Sequence, residues 1–290
     1  MNSNKQNSRS RLIVGCGYLG QRVADRWLQS GSNVFAITRS STNAKNLSAG
    51  GIHPIIGDVT TADGLPEAIR DLPEVDTVLW AVGFDRSAHA SYRDVHVNGL
   101  LRTLQQIPNK PRVVFISSTG VWGEETNEVD ESTPASPTRE AGVVLLEAET
   151  ALRSHPKGPG VVLRLAGIYG PGRLPRLSDI QENKPIAADP DSWLNLIHVD
   201  DAASVICDIS ELPAPKSLYI VSDTTPIRRE QWYSSLAEFT NSPRPRWATN
   251  SRLRGGNKRV NSDHVWRDTK KQPKHPNSID AMRTLLQKSS

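Results

Sequence analysis

The sequence predicts an α/β fold, in which a parallel β-sheet is covered on both faces by helices and is followed by a small C-terminal lobe. Two observations carry this prediction. Short apolar runs alternate with stretches of helical hydrophobic spacing up to residue 170, an order that is typical of parallel strands joined by crossover helices. After Gly170 the alternation stops at the loop-forming sequence Pro171-Gly172-Arg173-Leu174-Pro175.

The apolar runs define six strands in the first part of the chain. They are predicted at residues 12–16, 33–38, 53–57, 77–82, 112–117 and 160–165. Helices are predicted at residues 18–30, 87–107 and 139–154. In the first of these helices, Leu19, Val23 and Trp27 recur at helical spacing, and Gly31 is expected to end it.

The second part of the chain is predicted to be a lobe whose strands return to the sheet. Further strands are predicted at residues 194–198 and 218–221, and further helices at residues 199–209 and 228–240. Residues 241–261 are rich in Pro, Arg, Asn and Gly and are expected to be irregular. We therefore divide the chain into a disordered lead-in at residues 1–10, a sheet-containing domain at 11–170 and a lobe with a basic C-terminal segment at 171–290.

The composition is that of a soluble globular protein. The 290 residues are 37% hydrophobic and 23% charged, and no apolar run is long enough to span a bilayer. The polar start of the chain lacks the apolar stretch of a secretory signal. Two cysteines, Cys16 and Cys207, are too few for a disulfide framework or a cysteine-rich metal site. These features favour a cytoplasmic location without membrane attachment.

Charge is distributed unevenly along the chain. Residues 241–290 hold 12 Lys+Arg against 3 Asp+Glu, and the rest of the chain holds 23 against 28 of the totals of 35 and 31. Such a basic segment could bind nucleic acid. However, Trp247, Val260 and Trp266 interrupt the charges, and this pattern favours a basic surface lobe.

The most informative motif is the glycine turn Gly15-Cys16-Gly17-Tyr18-Leu19-Gly20, which follows the first strand and opens the first helix. In this context Gly15 allows a tight turn, Gly17 lets the backbone approach a pyrophosphate, and Gly20 lets the helix pack on the strand. The N-terminus of the helix favours phosphates. The turn therefore predicts a dinucleotide site in a Rossmann-type doubly wound sheet; the alternative is a turn that only closes the corner between strand and helix.

The end of the second strand bears on the choice of cofactor. In dinucleotide-binding folds an acidic residue at this point binds the free ribose hydroxyls of NAD, whereas an arginine accommodates the 2′-phosphate of NADP. Here the sequence is Thr38-Arg39-Ser40, with no carboxylate nearby in sequence. We therefore predict NADP, with NAD as the alternative if Arg39 only stacks on the adenine or points into solvent.

Two further segments are assigned to the cofactor site. Asp58 and Val59 follow the third strand, where a carboxylate can accept a hydrogen bond from the adenine amino group. An equal alternative for Asp58 is to cap the following helix. Ala81, Val82 and Gly83 end the fourth strand, and their small side chains would let the backbone lie along the cofactor.

Together these residues resemble the extended short-chain dehydrogenase/reductase family, which includes nucleotide-sugar epimerases and dehydratases. The resemblance covers most of the chain and rests on motifs in a fixed order. They are the glycine turn, Gly57-Asp58-Val59, Val97-Asn98-Gly99, Ile116-Ser117-Ser118-Thr119-Gly120-Val121-Trp122-Gly123, Leu163-Arg164-Leu165-Ala166-Gly167-Ile168-Tyr169-Gly170-Pro171-Gly172 and Ile197-His198-Val199-Asp200-Asp201.

The resemblance implies site residues on the fifth strand but not the usual catalytic pair. It assigns Ser117 to the cofactor and Ser118 to the substrate, whose carbonyl or hydroxyl it would bind; Ser118 could equally bond the neighbouring backbone. In the family a Tyr-x-x-x-Lys motif begins the next helix and moves the proton. The matching region, residues 138–147, contains neither tyrosine nor lysine. The chain is therefore similar to atypical members of the family.

Other side chains are candidates to replace the missing pair. Tyr92 and His96 share one helix face, but packing is the favoured interpretation for both. Asp85-Arg86-Ser87 could grip an anionic or sugar substrate or form a helix-capping turn. A structural role is expected for His198, next to Asp200-Asp201, and the carboxylates of Glu147 and Glu149 are expected to be solvated. No metal site is predicted from the spacing of histidines and carboxylates.

The sequence thus leads to two hypotheses of function. The first is an atypical NADP- or NAD-dependent oxidoreductase or epimerase/dehydratase-like enzyme that acts on a small polar molecule, with sugar nucleotides as one class. The second is a non-catalytic NADP-binding sensor or regulatory protein, which the missing tyrosine and lysine favour. A nucleic-acid partner is disfavoured by the apolar residues in the basic segment.

Overall fold

A computed structural model describes residues 8–61, 65, 67–85, 87, 89–124, 127–248 and 256–288 of the chain. Within these residues the predicted α/β fold is confirmed. By its internal contacts the chain divides into two compact units. The first comprises residues 1–117, 143–163 and 206–218, and the second comprises residues 118–142, 164–205 and 219–290. The division into domains at residue 170 remains a prediction.

Strands recur along the whole described part of the chain. In chain order they are β1 (Ser10–Val14), β2 (Asn33–Thr38), β3 (His53–Ile56), β4 (Thr77–Trp80), β5 (Arg112–Ser118), β6 (Glu128–Val129), β7 (Val161–Leu165), β8 (Gly167–Tyr169), β9 (Trp193–Leu194), β10 (Leu196–His198), β11 (Leu218–Val221), β12 (Ile227–Arg228) and β13 (Arg259–Val260).

Helices connect most of these strands. They are α1 (Gly20–Gln29), α2 (Ser41–Ala49), α3 (Gly99–Gln106), α4 (Glu140–Ser154), α5 (Leu177–Gln181), α6 (Val199–Glu211), α7 (Arg229–Phe239), α8 (Asp263–Thr269) and α9 (Ser278–Gln287). Short 3-10 turns lie at Glu67–Ile69 and Thr119–Trp122, and a π-helix lies at Asp94–Asn98. Among the described residues, no helix combines the length and the apolar character that a bilayer crossing requires.

The central sheet of the described residues has seven strands in the order β11-β7-β5-β4-β1-β2-β3. β1 pairs in parallel with both β2 and β4, while β3 joins β2 and β5 joins β4, again in parallel. β2 and β3 therefore lie on one side of β1, and β4 and β5 lie on the other. The strand order reverses between β1 and β4. In sheets of this kind ligands bind beyond the carboxyl ends of the strands at that reversal, where β1, β2 and β4 all end.

Burial on both faces explains the strands at the centre of the sheet. Leu12, Ile13 and Val14 of β1 are each at most 1% exposed, as expected for a parallel strand between two layers of helices. The predicted strands at residues 33–38 and 218–221 are confirmed at both ends. A rigid strand thus leads directly into the glycine turn.

The predicted helix at residues 87–107 is wrong in its first part. Ser87 lies in a turn, and regular helical structure begins after Ser91. The reason is a reciprocal cap: the Asp94 amide donates to Ser91 Oγ at 3.0 Å, and the Ser91 amide donates to Asp94 Oδ2 at 3.3 Å. This S-x-x-D capping box fixes the start of the helix and leaves the residues before it free to form the loop after β4.

Several elements were not predicted from the sequence. α2 begins at a cap in which Ser40 Oγ accepts from the Asn43 amide at 3.2 Å. In the basic C-terminal segment, α8 and α9 bury Trp266 and Met282, which are 5% and 0% exposed. Residues 256–288 of this segment are therefore folded, as the apolar residues there indicated.

The predicted strand at residues 194–198 is two short strands instead. Asn195 separates β9 from β10 because its side chain bonds the backbone of another segment. Its Nδ2 donates to the Lys258 carbonyl at 2.9 Å, and its Oδ1 accepts from the Val260 amide at 3.1 Å. β9 then pairs with β12 and β10 with β8.

Candidate functional site

The glycine turn is built so tightly that two of its three glycines are required by the fold. Gly15 has a φ of +96°, and a Cβ there would lie 2.5 Å from the Ala81 carbonyl oxygen. A Cβ on Gly20 would lie 2.4 Å from the Gly15 carbonyl oxygen. Because these contacts are with backbone atoms, neither position tolerates a side chain without movement of the chain.

Gly17 differs from its neighbours in the turn. Its φ is outside the left-handed region, and no described atom beyond its two chain neighbours lies within 4 Å of the position that a Cβ would occupy. The fold itself therefore does not require glycine here. An exposed backbone with open space in front of it is what the approach of a pyrophosphate requires.

The start of helix α1 complements this open surface. No side chain caps the helix at Leu19, and no acidic residue lies in its first turn. The partial positive charge at the end of the helix is therefore not neutralised by a side chain of the turn, which favours an anion. The binding of dinucleotide phosphates at the turn remains a prediction.

The other residues of the turn have packing roles that hold it in place. Leu19 is buried, at 8% exposed. The guanidinium of Arg22 lies 4.4 Å from the centre of the Tyr18 ring and donates to the Tyr18 carbonyl at 2.7 Å. Burial raises the pKa of the Cys16 thiol to about 12, so this cysteine stays protonated and unreactive beside the turn.

The ends of β2 and β4 bring Arg39 and Asp85 together. Arg39 Nη2 lies 3.2 Å from Asp85 Oδ2, and the two side chains are 51% and 43% exposed. The sequence around β2 offers no carboxylate, because the partner of Arg39 lies 46 residues further along the chain. The sequence analysis therefore did not pair Arg39 with Asp85. Arg86, which was considered with Asp85, lies outside the described residues.

Asp58 forms a local turn and does not cap a helix, because residues 59–61 are not helical. Its Oδ1 accepts from the Thr60 amide at 2.8 Å and from the Thr60 hydroxyl at 2.7 Å. Val59 is buried, and its carbonyl accepts from Arg102 at 2.9 Å. A contact of Asp58 or Val59 with adenine remains a prediction.

Residues 81–83 lie beside the glycine turn, at the same edge of the sheet. The Ala81 amide donates to the Val14 carbonyl at 2.8 Å, which extends the pairing of β4 with β1. No described atom beyond the two chain neighbours of Gly83 lies within 4 Å of the position that a Cβ would occupy there. The backbone of this segment is therefore open at Gly83, and its contact with the cofactor remains a prediction.

Ser117 bonds a buried carboxylate. Its hydroxyl donates to Glu149 Oε1 at 2.6 Å, and the side chain of Glu149 is only 1% exposed. The expectation that Glu149 is solvated was therefore wrong, because α4 turns this residue toward the end of β5. Glu147, by contrast, is partly exposed and pairs with Arg93. The assignment of Ser117 to the cofactor remains a prediction.

Ser118 caps the short 3-10 turn that follows β5. Its Oγ accepts from the Gly120 amide at 3.1 Å, which is the backbone role considered as the alternative. The hydroxyl hydrogen is not used by this bond, so it can still be donated. A bond from Ser118 to substrate remains a prediction.

The rings of Tyr92 and His96 are in contact, as their shared helix face predicted. Their ring centres are 4.3 Å apart at an interplanar angle of 42°, and the Phe84 ring lies 5.0 Å from that of Tyr92 at 60°. Neither ring nitrogen of His96 has a hydrogen-bond partner among the described residues. Burial lowers the pKa of His96 to about 4 and raises that of Tyr92. His96 is therefore neutral at pH 7, and the pair fits the packing interpretation.

In the second unit the fold gathers three side chains that are far apart in sequence. One potential ligand atom from each of His198, Asp201 and His275 lies within 4.8 Å of the others, a proximity that the sequence did not reveal. The two oxygens of Asp201 accept from the Lys274 and His275 amides, each at 2.9 Å. His198 Nδ1 accepts from the Asp200 amide at 3.2 Å. His275 Nδ1 also lies 3.0 Å from Asp201 Oδ2, so this cluster links two distant segments of the second unit.

Near the cluster of His198, Asp201 and His275 lies a buried carboxyl group. Asp223 is 5% exposed, and its Oδ2 has no hydrogen-bond partner among the described residues. Burial, with a smaller contribution from the negative charge of Asp201, raises its pKa from 3.8 to about 8. At pH 7 the folded protein therefore keeps Asp223 protonated.

This burial predicts a pH dependence of stability. Asp223 releases its proton at a lower pH in the unfolded chain, so the free energy of unfolding should fall as the pH rises from about 4 to about 8. Asp223→Asn should flatten that fall. Urea unfolding at several pH values tests this, with exposed Asp71→Asn as the control. An unchanged slope in Asp223→Asn would contradict the prediction.

The sequence and the fold of this chain both match those of known proteins. The model of the NAD dependent epimerase/dehydratase family matches residues 12–219. Protein YeeZ of Escherichia coli K12 is 27% identical over 233 residues, which cover 78% of this chain and 82% of that protein. A structure from Methylobacillus flagellatus, provisionally named an NAD-dependent epimerase/dehydratase, is 30% identical with a TM-score of 0.78, and the match covers 97% of this chain and 98% of that one.

Other solved structures share the fold at lower identity. The structure of MoeE5 in complex with UDP-glucose and NAD has a TM-score of 0.76 and 19% identity, and the match covers 97% of this chain and 99% of that one. At this identity the likeness concerns the fold. That protein holds a dinucleotide and a nucleotide sugar on the same architecture.

Proposed function

The chain belongs to the NAD-dependent epimerase/dehydratase family, and from this premise we propose that it binds NADP and acts as an oxidoreductase on a small polar substrate. The observation that carries the proposal is the open backbone at Gly17, between two glycines that the fold requires, at the uncapped start of α1. The nicotinamide, when bound, supplies the hydride chemistry. The location that we propose is the cytoplasm.

Each part of the site has a separate task in this proposal. Gly17 and the first amides of α1 hold the pyrophosphate, and Arg39 at the end of β2 holds the 2′-phosphate. The open backbone at Gly83 lies along the cofactor. Ser118, which keeps a hydroxyl hydrogen to donate, orients the substrate oxygen.

A sugar nucleotide is the substrate class that we consider first. MoeE5 holds UDP-glucose on the same fold, which supports this class by analogy only. Proton transfer would differ from the usual family mechanism, since residues 138–147 contain no tyrosine and no lysine. Arg139 supplies a positive charge there but does not act as a proton acceptor at neutral pH.

The preference for NADP is testable through Arg39. A charge-assisted contact to a phosphate is typically worth about 1.5–3 kcal/mol, which corresponds to a preference of roughly tenfold or more. Arg39→Ala should remove this preference and leave the affinity for NAD unchanged. Calorimetric titration with both cofactors measures it, with exposed Arg70→Ala as a control of equal charge. Equal affinities of the parent protein for NAD and NADP would refute the assignment.

The second candidate is a non-catalytic NADP sensor. It is favoured by the start of α4, which has neither the phenol nor the ammonium of the family's motif, and by the neutral, buried state of His96. In that case NADP should raise the melting temperature while no substrate is converted. Conversion of any substrate at a rate that depends on NADP would favour the enzyme instead.

A further inference from the structure

The residue that we assign to the 2′-phosphate is already paired with an anion. Arg39 Nη2 lies 3.2 Å from Asp85 Oδ2. The two residues follow β2 and β4, the strands on either side of β1, so the fold delivers both to the carboxyl edge of the sheet. A phosphate that approaches Arg39 would therefore meet the Asp85 carboxylate as well.

Asp85 is held in the orientation that faces Arg39. Its Oδ1 accepts from the Ser87 amide at 3.0 Å and from the Ser87 hydroxyl at 2.6 Å. These two bonds occupy one carboxylate oxygen and direct the other, Oδ2, to the guanidinium. The same bonds, first those from Ser87 and then that from Arg39, keep the pKa of Asp85 below its usual value, so the group is ionised at neutral pH.

We infer that Asp85 is a specificity-determining residue that opposes NADP: its carboxylate competes with the 2′-phosphate for Arg39 and so limits the preference for NADP over NAD. The inference rests on the proposed function, since it assumes that a dinucleotide binds at this edge. NAD has no 2′-phosphate, so its binding leaves the ion pair intact.

Electrostatics gives the direction of the effect. A guanidinium has several N–H donors, so Arg39 could contact both anions at once. The carboxylate and the phosphate would then lie within a few ångströms of each other, and like charges at that distance repel. Whether the carboxylate is displaced or stays, its presence weakens the binding of NADP. Because both side chains are about half exposed, salt should screen the effect.

Asp85→Asn is the variant that tests this inference. The amide oxygen can still accept from Ser87, so the turn is kept while the charge is removed. At low salt we expect NADP to bind about fivefold more tightly, and the affinity for NAD should be unchanged. The gain should shrink as sodium chloride is raised. Calorimetric titration of NADP and NAD into the full chain, at several salt concentrations, measures both affinities and their salt dependence. The matched control is Asp71→Asn, which removes an exposed carboxylate of the same unit.

The outcomes separate the inference from the proposed function. If Arg39→Ala weakens NADP binding but Asp85→Asn leaves it unchanged or also weakens it, the inference is overturned, and Asp85 orients Arg39 instead of opposing the phosphate. If neither variant changes NADP binding, the assignment of Arg39 fails and the inference fails with it. Tighter binding of NADP in Asp85→Asn, without a change for NAD or in Asp71→Asn, supports it.

Discussion

Gly17→Val is expected to abolish NADP binding and to leave the chain folded. The turn does not need glycine at this position, because its φ is outside the left-handed region and no described atom beyond its two chain neighbours lies within 4 Å of a Cβ placed there. The valine side chain would instead fill the space through which the pyrophosphate approaches. Calorimetry should show a loss of at least about a hundredfold in affinity, equivalent to about 2.7 kcal/mol, while the thermal unfolding midpoint stays near that of the parent.

Gly20→Ala is the matched control for this variant. Its new Cβ would meet the Gly15 carbonyl oxygen at 2.4 Å, so it should destabilise the fold itself, by about 1–3 kcal/mol as overpacking typically does. The two variants thus separate a glycine kept for a ligand from one kept for folding. An unchanged affinity for NADP in a folded Gly17→Val protein would show that the cofactor does not bind at this turn.

Conversion of sugar nucleotides is expected to be slower than in typical family members by about 10²–10⁴-fold, the usual cost of losing a positioned general acid or base. The reason is the start of α4, where residues 138–147 provide no phenol and no ammonium. The neutral His96 is not in a protonation state to replace the ammonium. A panel of UDP- and dTDP-sugars, incubated with the protein and either cofactor, measures the rate.

Turnover at rates typical of the family would contradict this prediction. Another residue would then move the proton. Tyr92→Phe would be the first variant to test, because the Tyr92 ring contacts that of Phe84, which directly follows the segment 81–83. Asp85→Asn would be the second. Loss of turnover in a variant that still binds NADP at least as tightly as the parent protein would identify the replacement.

Continuous apolar runs made the strands the most predictable part of the fold. β2 and β11 begin and end where the sequence predicted, because each is built on a short apolar run, at residues 34–37 and 218–221, that is bounded by polar residues. The start of the helix after β4 was misjudged even though its signal, Ser91-x-x-Asp94, is in the sequence. The start of this helix is thus set by its polar cap and not by its hydrophobic spacing.

The parts of the site that could not be predicted all depend on contacts between distant residues. Asp85 reaches Arg39 across 46 residues, and His275 reaches Asp201 across 74. Helical spacing could not show that Glu149 lies on the buried face of α4, because its partner is the hydroxyl of Ser117 in strand β5. Sequence patterns report local periodicity, whereas these pairs arise only when the fold brings distant segments of the chain together.

The central claim is that a dinucleotide binds across the glycine turn, and a crystal structure of the chain with NADP tests it most directly. The predicted result is a pyrophosphate in front of Gly17 at the start of α1, with the 2′-phosphate near Arg39. The side chains around the nicotinamide would then identify the candidates for proton transfer. A cofactor bound elsewhere, or no binding at millimolar NADP, would contradict the claim.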